Sequence, residues 1–168
     1  VTTEFENVPA RTLASLTQHC RVAPSAGAVA IAQDRIAEKE FIRGLGLKLA
    51  PYAVLRAAGD LDDPELNALF PAILKRSREG YDGRGQARVA NITEARAAWR
   101  EFGESPCVLE KRMPLDRELS LVLARGDDDA IRTYPVAENR HRAGILDTSI
   151  VPAPASDALA PLAVQAAL

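Results

Sequence analysis

The chain has 168 residues, 47% of them apolar and 26% charged, with a formal net charge of -2. That composition is globular, is enough for one ordinary domain or two small ones, and excludes a disordered tail. The near-neutral charge excludes a protein-wide basic field for nucleic acid, and no apolar run approaches the roughly 20 residues of a membrane span.

Val1 to Phe5 is rich in β-branched residues and reads as a strand, with no leader before it. A turn at Asn7 leads into a helix over 9–19, with Pro9 near its first position and Leu13, Leu16 and Cys20 at helical spacing. Ser25 caps a short Ala-rich helix through Ala32, and Asp34 caps the next, Arg35 to Arg43, with Gly44 and Gly46 as stops. Arg35 and Lys39 stand four apart on one face of that helix; by pattern alone they form a solvated basic stripe.

Further on, 52–57 reads as a strand, and Asp63-Pro64-Glu65 opens a helix reaching Phe70. Residues 71–75 form a strand, a glycine-rich loop follows, and Ala87 to Ala90 forms the next strand. Thr93 caps a helix to Phe102, which Gly103 stops. After a strand at 108–111, Glu118 to Arg125 alternates cleanly as one strand, with Leu119, Leu121 and Leu123 on one side. Asp127-Asp128-Asp129 turns it into a partner strand, Ala130 to Ala137. That carboxylate run reads as a solvated hairpin tip rather than a metal site. Residues 48–138 thus read as a small α+β module of mostly antiparallel sheet with two helices on one face, preceded by helical residues 1–47. Val151 to Ala155 reads as a linker, and 155–168 as an apolar helix without a closing polar turn. Both ends look cut, so a piece of a longer protein is expected.

The stretch richest in chemistry is Lys75 to Gln86. Gly80, Gly83 and Gly85 allow positive φ and close backbone approach, while Lys75, Arg76, Arg78 and Arg84 bring positive charge to a loop able to form an anion-binding nest. By spacing alone it is a hairpin connection first and a polyphosphate cradle second. It is neither a Walker loop, which opens a helix with Gly-Lys-Ser/Thr, nor a dinucleotide fingerprint, because a strand follows. Cys20 and Cys107 lie far apart and define no disulfide framework, which fits a reducing, cytoplasmic setting. With two histidines and no CxxC or HExxH, no zinc site is expected.

The wording Gly80-Tyr81-Asp82-Gly83-Arg84-Gly85-Gln86 after a strand ending in Lys75, with Val108-Leu109-Glu110-Lys111 downstream, resembles the central lid domain of the ATP-grasp enzymes. Within that superfamily it is similar to the 5-(carboxyamino)imidazole ribonucleotide synthetases of purine biosynthesis. Thr3 to Pro9, Asp34-Arg35, Glu118-Leu119-Ser120, Tyr134-Pro135-Val136 and Asn139 to Leu146 agree in order and spacing, to about Val151. The resemblance implies an ATP-dependent ligase, working with magnesium as a full-length homodimer. It would carboxylate 5-aminoimidazole ribonucleotide with bicarbonate by way of carboxyphosphate. It also implies roles: Arg35 and Lys75 on ATP phosphates, Gly80, Tyr81, Asp82, Gly83, Arg84, Gly85 and Gln86 folding over them, and Glu110, Lys111, Arg112 and Met113 beside adenine. Glu118 would take the ribose hydroxyls and His141 a further ATP contact, while Tyr81, Arg84 and Glu4 would meet the aminoimidazole substrate.

On that resemblance, 1–47 is the end of an N-terminal substrate domain with connecting helices, 48–138 the lid subdomain, and 139–168 a linker and the start of a truncated C-terminal domain. The acidic strands that bind magnesium in the family are absent, so no metal ligand and no confident catalytic residue is expected within the chain. The chain alone is expected to be inactive. The alternatives are another ATP-grasp carboxylase or ligase, against which the Tyr81-Asp82 pair speaks, and a non-catalytic anion- or RNA-binding module. The charge and the scarcity of aromatics oppose the second.

Overall fold

The computed structural model describes residues 1–5, 7–80, 85–126, 128–142, 144–154 and 156–168. It divides into two compact units, Val1–Met113 and Pro114–Leu168.

The first unit opens with three helices, α1 (Ala10–Leu16), α2 (Ala26–Ala32) and α3 (Arg35–Gly44). Side-chain caps start the second and third: Ser25 Oγ accepts from Ala28 N, and Asp34 Oδ1 accepts from Ile36 N and Ala37 N. Then come β1 (Tyr52–Leu55), two 3-10 helices (Ala58–Asp62 and Pro64–Leu69), β2 (Ala72–Arg76), β3 (Gln86–Val89), α4 (Ile92–Glu101) and β4 (Cys107–Lys111). The strands form one antiparallel sheet in the order β1-β4-β2-β3.

Period-two alternation sorts its faces. Leu55, Leu74, Cys107 and Leu109 have no exposed surface and pack with Ala95, Ala98 and Trp99 of α4 and with Leu61, Leu66 and Leu69. Each buried leucine there contributes about 1.5–3 kcal/mol. Trp99 Nε1 donates to Ser105 O at 3.0 Å, so its one polar atom is satisfied inside the core. The other face carries Tyr52, Val54, Ile73, Lys75, Val108 and Glu110, and α3 lies against it at β4.

The second unit holds β5 (Glu118–Ser120), β6 (Leu123–Arg125), β7 (Ile131–Thr133), β8 (Ala137–Arg142), β9 (Ile145–Ile150) and α5 (Ser156–Ala167). Antiparallel β5-β8-β9 make one sheet and β6-β7 a separate hairpin. Val136 and Ala153 are buried, joined by a bond from Ala153 N to Val136 O. Among the described residues no helix is long and apolar enough to cross a membrane.

Several local expectations change for physical reasons. Val1 to Phe5 forms no strand: the Val1 ammonium donates to Arg21 O and Val1 O accepts from Ala23 N, an isolated clasp without a ladder. Pro64–Leu69 winds as a 3-10 helix, in which residues three apart eclipse, so that Leu66 and Leu69 enter the core together. The α4 cap is Asn91, not Thr93. Asn91 Oδ1 accepts from Glu94 N, and Glu94 reaches back to Ala90 N, leaving Thr93 inside the first turn. The alternating run 118–125 is two strands, because the chain passes from the β5-β8 sheet to the β6-β7 hairpin at Leu121 and Val122. Its expected partner 130–137 divides likewise into β7 and the start of β8, and β8 and β9 add a hairpin where no strand was expected. In the carboxylate turn, Asp128 Oδ1 accepts from Ala130 N; Asp127 lies outside the described residues.

Candidate functional site

The antiparallel register pairs Ile73 with Glu110 and Lys75 with Val108, which sets Lys75 and Glu110 diagonally on one face of the sheet. Their side chains meet, Lys75 Nζ standing 3.2 Å from Glu110 Oε2. From above, α3 lowers Lys39, whose Nζ reaches the same oxygen at 3.1 Å and lies 4.8 Å over the Tyr52 ring. Tyr52 is the β1 partner of Glu110, so strand pairing and helix placement converge on one carboxylate.

This corrects the solvated-stripe reading of Lys39: its side chain is only 12% exposed, the most buried of the three. Two ammoniums against one carboxylate leave an excess of one positive charge. Burial alone would raise the Glu110 pKa, but Lys75 and Lys39 outweigh it and hold the carboxyl below its ordinary range. The carboxylate therefore stays charged near neutrality, and Lys75 keeps N–H donors for an incoming anion.

Arg35, the first residue of α3, donates from its backbone N–H to Ser77 O at 2.9 Å and from Nη2 to Gly80 O at 3.4 Å. Asp34, just before it, accepts from Ser77 Oγ and Arg78 Nε. The chain leaving β2 is thus tied to the start of α3. Arg35, Ser77 and Gly80 line a cavity of about 370 Å³ with Thr3, Asn7 and Gln33. Glu4 is exposed.

Gly85 brings the chain back to the sheet. Its φ is +68°, its carbonyl accepts from Arg76 N, and a Cβ there would stand 3.2 Å from Arg76 Cδ. Gln86 follows as the β3 partner of Lys75. Tyr81, Asp82, Gly83 and Arg84 lie outside the described residues.

After Glu110, the N–H groups of Lys111 and Arg112 donate to Pro51 O and Pro71 O, and Lys111 Nζ donates to Ala68 O. Met113 is exposed. In the second unit, β5 and β8 pair Glu118 with Asn139, and a bulge between Arg140 and His141 re-aims the histidine. His141 Nδ1 then stands 2.5 Å from Glu118 Oε2, so these two expected residues are brought together.

A polyphosphate would find the cations of Arg35 and Lys75 held in place in the first unit, which suits phosphoryl transfer, where positioning and charge stabilisation dominate. Magnesium is a different matter. Among the described residues no three His, Cys, Asp or Glu side chains are grouped to hold a metal ion.

Residues 40–168 match the ATP-grasp domain family, and the chain belongs to it. Within that class it is 40% identical over 150 residues to the N5-carboxyaminoimidazole ribonucleotide synthase of Pseudomonas aeruginosa, a match covering 89% of this chain and 42% of that protein. The N5-carboxyaminoimidazole ribonucleotide synthetase structure from Thermus thermophilus superposes with a TM-score of 0.89 at 39% identity, over 99% of this chain and 45% of that one. The Aspergillus clavatus N5-carboxyaminoimidazole synthase, solved with ADP and 5-aminoimidazole ribonucleotide, gives 0.84 at 26% identity, over 99% and 44%. The chain spans less than half the length of these relatives.

Lys39 is the site residue that sequence reasoning passed over. Its signal was present in the four-residue spacing from Arg35, but nothing in that spacing tells whether a helix face meets solvent or a sheet.

Proposed function

We propose that this chain carries the ATP-binding part of a cytoplasmic ligase of purine biosynthesis. That enzyme would use ATP to activate bicarbonate as carboxyphosphate and carboxylate the amine of 5-aminoimidazole ribonucleotide. The observation carrying this reading is a cluster on the sheet face away from the core, in which Lys39 joins Lys75 and Glu110, the two members at which the family resemblance asks for ATP contacts. The relative solved with ADP and 5-aminoimidazole ribonucleotide supports the choice of substrates.

In this reading Arg35 and Lys75 neutralise phosphate oxygens, and residues 80–86 fold over them and keep water from the labile carboxyphosphate. Residues 110–113 flank adenine, Glu118 takes the ribose hydroxyls, and His141, held by Glu118, makes a further nucleotide contact. Tyr81, Arg84 and Glu4 meet the aminoimidazole substrate. Residues 1–47 then belong to a substrate domain, 48–138 to the lid subdomain, and 139–168 to a connection into a further domain. Magnesium would accompany ATP on ligands other than the described residues of this chain, and the whole enzyme would be a homodimer.

The test is phosphate release from ATP by the protein expressed from its complete reading frame, with bicarbonate present. 5-Aminoimidazole ribonucleotide is expected to stimulate release where other amines do not, and Lys75→Met to abolish it. Release indifferent to the aminoimidazole compound sinks the substrate assignment.

A further inference from the structure

We infer that Lys39 is a positioning residue for nucleotide binding, acting through Glu110 to leave Lys75 free for phosphate. The inference rests on the reading above, in which Lys75 meets the nucleotide.

The geometry makes Glu110 a shared partner. Its Oε2 takes Lys39 at 3.1 Å and Lys75 at 3.2 Å, so the two ammoniums compete for one oxygen. They are not equivalent. Lys39 is the more enclosed, 12% exposed against 23% for Lys75, and its charge also rests on the Tyr52 ring. Lys39 is therefore the standing countercharge of Glu110, while Lys75 lies nearer to solvent and to an arriving anion.

Removing Lys39 changes the cluster in two ways at once. Its net charge falls from one positive to zero, and Glu110 is left with Lys75 alone. A half-buried carboxylate with one partner holds that partner tightly, because an unpaired charge away from water is strongly unfavourable. Phosphate must then compete with Glu110 for Lys75. When Glu110 is neutral this competition vanishes, and Lys39 has nothing left to relieve. The role thus has a signature: the effect of losing Lys39 depends on the charge of residue 110.

The experiment is a double-mutant cycle on the protein from its complete reading frame, with ADP titrated by calorimetry and far-UV circular dichroism checking the fold. Lys39→Met is expected to weaken ADP roughly tenfold, about the weight of one charge-assisted contact. In the Glu110→Gln background the same change is expected to cost less than about threefold, since Lys75 is already released. Lys39→Arg, which keeps the charge, is expected to restore binding to within about threefold of the parent. If Lys39→Met does not fold, Lys39→Gln takes its place in the cycle. An equal loss in both backgrounds means that Lys39 touches the nucleotide or merely packs, and overturns the inference; so does no loss in either. Lys75→Met is run in parallel. Unchanged ADP affinity there refutes the reading on which this rests, whereas a loss there beside an additive cycle refutes this inference alone.

Discussion

Asp34 and Ser77, 43 positions apart in the chain, meet through a 2.5 Å bond from Ser77 Oγ to Asp34 Oδ1. The same carboxylate oxygen caps α3 by accepting from Ile36 N and Ala37 N, and the other oxygen accepts from Arg78 Nε. One side chain thus starts the helix that carries Arg35 and Lys39 and anchors the end of the strand that carries Lys75.

Asp34→Ala is expected to destabilise the first unit by about 2–4 kcal/mol, combining a lost cap with a buried Ser77 hydroxyl left without its acceptor. Burial would raise the Asp34 pKa, but Ser77, the two helix N–H groups and Arg78 together lower it. A carboxyl with a lowered folded pKa contributes stability above its unfolded value, near ~4, and loses it as pH falls through the folded one. The gap between the parent and Asp34→Asn is therefore widest near neutrality and closes below about pH 4. Urea unfolding followed by Trp99 fluorescence, the chain having one tryptophan, reads both effects. A gap that widens in acid contradicts this account.

The cap of α4 gives a cleaner comparison. Asn91 is extended at φ -159° and exchanges bonds with Glu94, whereas Thr93 lies within the helix. Asn91→Ala is expected to cost about 1 kcal/mol and Thr93→Ala under about 0.5 kcal/mol. The same unfolding measurement separates them, and the reverse order of costs would restore Thr93 as the cap.

That pair of residues also shows what a sequence can and cannot tell. Both Asn and Thr are good caps, and only the extended backbone at 91 decides between them. Where one candidate stood alone, as with Ser25 and Asp34, the helix start was legible. The central strands were legible too, because their short apolar runs and the punctuating Gly103 are local signals. Lys39 was not, since its burial comes from α3 meeting β4, a contact between residues far apart in sequence. The break at Leu121 and Val122 was hidden for the same reason. Alternation continues through it unchanged, and only the partners, β8 on one side and β7 on the other, reveal two strands. The loop wording and Glu110 were legible as a family likeness, while the partner that Glu110 finds in Lys39 was not.

Gly85→Ala tests the return of the loop into β3. The position has φ +68°, costly for any residue with a Cβ, and the added methyl would press on Arg76 at 3.2 Å. A loss of about 1–2 kcal/mol is expected, with Gly85→Asn milder because asparagine tolerates the left-handed region better. If Gly85→Ala leaves urea unfolding unchanged, the backbone there is not held at positive φ.

The two cysteines should differ sharply in reactivity. Cys107 sits in β4 with no exposed surface, and its Sγ donates to Ser105 O. Burial pushes its thiol up to about 11, with the Ser105 bond and Arg76 pulling weakly the other way. At pH 8 that leaves roughly one thiolate in a thousand, before the core packing that blocks a reagent is counted. Cys20 is exposed. A disulfide reagent at pH 8 is therefore expected to titrate one thiol promptly in the folded protein and the second only on unfolding. Since Cys107 packs among Leu55, Leu74, Leu109 and Trp99, its release should track the loss of Trp99 burial as urea rises. Prompt reaction of two equivalents without denaturant would mean that β4 is not the sealed centre of this sheet, and would remove the rigid backing on which Glu110 is held.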